Sequence, residues 1–70
     1  MAYGIYTQRR PGTVWRLDRV ANEEPEAREV VQDLKRRGGY GAALTVYEFS
    51  GPDAPDTFFR PPPGARRVTF

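Results

Sequence analysis

From Tyr3 to Arg9, and again from Thr13 to Ala21, apolar and polar residues alternate closely enough to predict two strands. In the second, Trp15 and Leu17 share one face while Arg16 and Asp18 take the other. Arg10-Pro11-Gly12 between them is a turn signal, because proline presets φ and glycine accepts a positive φ. The pair reads as an antiparallel hairpin.

The spacing then lengthens. Ala27, Val30, Val31 and Leu34 recur at i, i+3, i+4 and i+7, which predicts a helix over Asn22 to Gly38 buried along one stripe. Asn22 is placed to cap it, and Pro25 is tolerated in the first turn, where its missing N–H has no helical partner to lose. Glu23, Glu24 and Glu26 crowd the start and Lys35, Arg36 and Arg37 the end, both favourable to the helix dipole. Gly38-Gly39 supplies a left-handed stop.

Ala42 to Ser50 returns to strand spacing. Leu44 and Val46 face one way, Tyr47 and Phe49 appear in the opposite set, and two largely apolar faces predict a central place in the sheet. The six residues from Gly51 to Asp56 form a loop by composition. Thr57 to Arg60 and Arg66 to Phe70 flank Pro61-Pro62-Pro63-Gly64, either as a short hairpin or as an extended arm laid on the body. The prolines exclude a central strand there and act as a stiff connector. The fold expected is a small α+β domain of order β-β-α-β, a mainly antiparallel sheet with one helix packed on one face. Residues 1–50 form its core, and residues 51–70 add a loop and a Pro-rich hairpin or arm to the same domain. Trp15, Leu17, Val30, Val31, Leu34, Leu44 and Val46 are the expected core. With only one helix the second sheet face is left open, carrying Tyr3, Tyr6, Tyr47 and Phe49 in part.

Composition narrows the function classes. The 70 residues contain no cysteine and no histidine. The usual zinc and iron ligands, the Cys-His and Ser-His nucleophile pairs and the commonest general base are therefore missing. Ser50 is the only serine and has no recognisable base beside it; no phosphate-binding glycine loop is present. Asp53 and Asp56 are too few for a calcium shell and read as solvated loop acids. No enzyme activity, cofactor or metal is expected. No segment has the length of apolar sequence that a bilayer or a signal peptide requires, so no membrane association is expected and the expected location is the cytoplasm.

The net charge is +2, unevenly placed: residues 1–21 carry Arg9, Arg10, Arg16 and Arg19 against Asp18 alone. Three arginine pairs, Arg9-Arg10, Arg36-Arg37 and Arg66-Arg67, would track a phosphate backbone if they converged. The plainer account of them is solvated surface charge, with Arg36 and Arg37 serving the helix dipole. Gly39-Tyr40-Gly41 is followed by Ala42 and Ala43, not by base-stacking rings, and reads as a helix stop.

The leading expectation is a non-catalytic protein-binding module. Such a module would serve as an accessory or inhibitory protein of a larger complex, in the manner of small phage-encoded inhibitors, or as a homodimer. Tyr40, Phe59 and Phe70 are the candidate partner-binding residues, since aromatic and arginine side chains are enriched at interface hot spots. Of Phe58 and Phe59, one is expected to pack and the other to remain outside. The alternative is nucleic-acid binding through Arg9, Arg10, Arg36, Arg37, Arg66 and Arg67 with exposed tyrosines.

Overall fold

The computed structural model describes residues 1–37, 43–51 and 54–70. Its elements are β1 (Ala2–Gln8), β2 (Trp15–Ala21), α1 (Glu24–Arg37), β3 (Ala43–Phe49), β4 (Thr57–Phe58) and β5 (Arg66–Val68). The strands form one curled antiparallel sheet in the order β4-β2-β1-β3-β5. The small α+β fold of order β-β-α-β is as the residue spacing predicts.

The β1–β2 turn follows from its residues. Thr13 N–H donates to the Arg10 carbonyl at 3.1 Å, and Gly12 has a φ of 83°, the conformation its position after Pro11 demands. Thr13 Oγ1 donates to the same carbonyl at 2.7 Å, and Gln8 Nε2 donates to the Thr13 carbonyl at 2.8 Å. The helix starts at Glu24, so Asn22 lies just outside it; the Asn22 N–H donates to Glu26 Oε2 at 3.3 Å. The glycine stop at 38–39 lies outside the described residues.

The helix packs over β1 and β2, and its stripe of Ala27, Val30, Val31 and Leu34 buries against Ile5, Ala21 and Val46. Tyr3, Leu44, Val68 and Phe70 pack around that core, half-buried. Two expected core residues are elsewhere. β2 carries a bulge: Ile5 pairs with Arg19 but Tyr6 pairs with Leu17, which leaves Asp18 as an extra residue. The bulge inverts the facing of the strand's first half relative to its second. Ala21 therefore enters the helix-side core, while Leu17 and Trp15 turn to the other face, half-buried.

That other face is not open. Tyr6 is 0% exposed at its centre, ringed by Phe58 at 4.5 Å and by Phe49 and Tyr47 at 6.4 Å. The Tyr6 hydroxyl donates to the Pro55 carbonyl at 2.6 Å, and Leu17 N–H donates to the Asp56 carbonyl at 2.8 Å. Pro55 and Asp56, just ahead of β4, thus lie against Tyr6 of β1 and Leu17 of β2. A second, aromatic core results. Tyr3, expected with these aromatics, belongs to the helix side.

The C-terminal segments form neither the hairpin nor the extended arm laid on the body that their composition allows: each is a short edge strand. β4 pairs with β2, and β5 pairs with β3 at the opposite edge. β3 is an interior strand, as its two apolar faces predict, held between β1 and β5; β1 is the middle one.

Burial pushes the Tyr6 phenol up to about 12, assisted by the negative charge of Asp56. Its folded value lies above the ordinary one of 10.0, so the stabilisation is full below pH 10 and lost as pH climbs through 12. The expected result is a fall in the denaturant midpoint across that window that is smaller in Tyr6→Phe. An equal fall in both proteins would show that Tyr6 is not its source.

Candidate functional site

The arginine pairs sit on three different elements: Arg9-Arg10 follow β1, Arg36-Arg37 end α1, and Arg66-Arg67 open β5. Arg66 is on β5 and bridges Glu48 at 3.1 Å; the same carboxylate holds the Tyr3 phenol above its usual range. Arg37 bridges Asp33 one helical turn earlier, at 3.2 Å. Arg36 shares a shallow cleft with Glu26, Glu29 and Asp33, so its charge is set among carboxylates. These guanidinium groups are offset locally, as surface and helix-dipole charges commonly are.

Arg9 and Arg10 are different. The tight turn at Pro11-Gly12 holds them at the end of the hairpin, and β1–β2 pairing sets Arg16 opposite Thr7, on the same end of the sheet. Arg9, Arg10 and Arg16, with Thr13 and Val14, line a cleft of about 310 Å³ that contains no carboxylate. None of the three arginines has a salt-bridge partner among the described residues. Arg16 stands alone in sequence, outside the three arginine pairs. Its signal is proximity to a tight turn, which folds i and i+6 or i+7 back together.

The aromatic candidates separate as well. Tyr40 lies outside the described residues, as does Asp53. Phe70 is packed: its ring centroid is 6.3 Å from that of Tyr3, and the Arg28 guanidinium lies 4.9 Å above it. Phe58 belongs to the aromatic core, where Tyr47 meets it edge-on at 5.5 Å. Phe59 is 74% exposed. Because β4 pairs Phe58 with Trp15, Phe59 and Arg60 emerge beside the hairpin end that carries Val14 and Thr13. The chain therefore sets one large exposed aromatic next to an arginine cleft that lacks counter-charge. Chemically this is a surface for docking: the ring loses water-exposed area when covered, and the guanidinium groups gain an anionic neighbour.

Among the described residues no helix is long and apolar enough to cross a membrane. Comparison with models of protein families, with curated proteins and with solved structures found no match to the chain.

Proposed function

We propose that this protein is a non-catalytic, cytoplasmic module that docks a protein partner through the hairpin end of its sheet. Phe59 is the anchor, and Arg9, Arg10, Arg16 and Arg60 form a cationic rim. The observation that carries this reading is the exposure of Phe59 beside arginines without carboxylate partners. Interface hot spots are typically an apolar or aromatic anchor inside a polar rim. The partner surface this calls for is an apolar pocket bordered by Asp and Glu. A second copy of this chain is disfavoured there, since facing hairpin ends would bring like charges together.

The second reading is nucleic-acid binding, favoured by the three-arginine cleft itself. One set of measurements distinguishes them. Tagged wild-type and Phe59→Ala proteins are used as baits with and without nuclease, and their circular dichroism is compared. The expected result is a stoichiometric protein that survives nuclease and is lost from Phe59→Ala, whose spectrum is unchanged. If material bound to the wild type disappears with nuclease, and an oligonucleotide binds with an affinity that falls steeply with salt and with Arg9→Ala/Arg10→Ala, the second reading replaces the first. A partner retained by Phe59→Ala overturns the choice of anchor.

A further inference from the structure

The helix packs over β1 and β2, and among the described residues no element lies over the margin between its far side and β3 and β5. A groove of about 410 Å³ runs there, lined by Val31, Leu34, Leu44, Val46, Val68 and Phe70. Lys35 stands at its rim and Arg67 lines it from a β5 position that faces the other side of the sheet; neither has a salt-bridge partner among the described residues. Beside the groove is the outer edge of β5. It is the last strand of the sheet, so backbone N–H and C=O groups on that side have no strand to pair with among the described residues.

We propose that the β5 edge and this groove take an extended segment of a protein partner in which apolar and acidic residues alternate. The geometry dictates the alternation. A strand added to β5 continues its pleat, so every second side chain falls on the face of Val68, over the groove, and the others fall on the face of Arg67. The first set meets Val68 and Phe70, beside Arg66 whose charge Glu48 already offsets, and is apolar. The second meets a guanidinium group that has no carboxylate partner and is acidic. Charge also selects against a second copy of this chain as the added strand. Pairing β5 with β5 would gather four arginines, two from each edge, at one seam. This surface lies across the sheet from β4 and Phe59, and its occupancy does not depend on the hairpin end.

The test uses the intact protein and a fluorescein-labelled heptapeptide that alternates valine and aspartate. Anisotropy is read alongside a blocked peptide of the same composition and an alternating valine–lysine peptide. The expected result is binding of the alternating aspartate peptide at least about tenfold tighter than either control, with preference passing to the lysine peptide in Arg67→Glu. Backbone N-methylation at alternate positions is expected to abolish binding, and Phe59→Ala to leave it unchanged. Equal binding of the blocked peptide, no binding at all, or indifference to Arg67→Glu overturns the proposal. So does sedimentation showing that the protein covers this edge itself by dimerising through β5.

Discussion

Tyr6→Ala is expected to remove about half or more of the domain's stability, the largest loss of any single substitution in the aromatic core. Removing a fully buried aromatic side chain costs about 3–5 kcal/mol. A 70-residue domain has a total stability of only about 4–10 kcal/mol at typical per-residue values. The loss is broader here than one ring. Tyr6 touches three other aromatics and, through its hydroxyl, fixes the connection that covers them. Tyr6→Phe keeps the ring and drops only the bond to Pro55, leaving a half-buried carbonyl without that donor, at about 1 kcal/mol. Urea unfolding of the three proteins checks this order. A Tyr6→Ala protein within about 1 kcal/mol of wild type would mean that the second face is not a core.

Gly4→Ala is the second large effect, and its direction is opposite to that of the usual substitution. Alanine in place of glycine within a strand ordinarily stabilises by roughly 0.5–1 kcal/mol, because the unfolded chain loses freedom. At Gly4 a Cβ would stand 2.7 Å from Tyr6 Cε1 and 3.1 Å from Phe49 Cε2. The tyrosine ring cannot retreat: it is buried on all sides and tethered by its hydroxyl to Pro55. Overpacking of this kind costs about 1–3 kcal/mol. The expected result is a lower melting temperature for Gly4→Ala, partly restored by adding Phe49→Leu, which makes room. A gain in stability from Gly4→Ala alone would mean that the aromatic core is looser than described.

The helix was legible because its signal is local and redundant. A four-residue stripe, acids at one end and bases at the other all specify the same element, and Glu24–Arg37 forms inside the expected span. The first hairpin was legible for the same reason, since Pro11-Gly12 admits few turns. What the residues did not reveal depends on relations between distant segments. The bulge at Asp18 moves Trp15 and Leu17 to the face opposite Ala21, and nothing in strict alternation marks it. Thr57-Phe58 and Arg66–Val68 are too short to carry a facing pattern, and their partners are set by how β3 connects to the far side of β2. The burial of Tyr6 followed from that connection. In the candidate site, Arg9, Arg10 and Phe59 could be named from residue type alone. The pairing of Arg37 with Asp33 and of Arg66 with Glu48, and the addition of Arg16, required the registers.

The strand order bears on how fast this chain can reach its native state. The strand that sits in the middle of the sheet is the first in sequence, and one of its neighbours, β3, arrives only after the helix. Both outer strands come from the last fourteen residues, and they dock at opposite margins. Few native pairings beyond the first hairpin can therefore form between nearby residues, and loop-closure entropy must be met before most of the sheet gains anything. A domain this small built mainly of helices would fold in microseconds to milliseconds; this topology places the chain with the slower sheet proteins, in milliseconds to seconds.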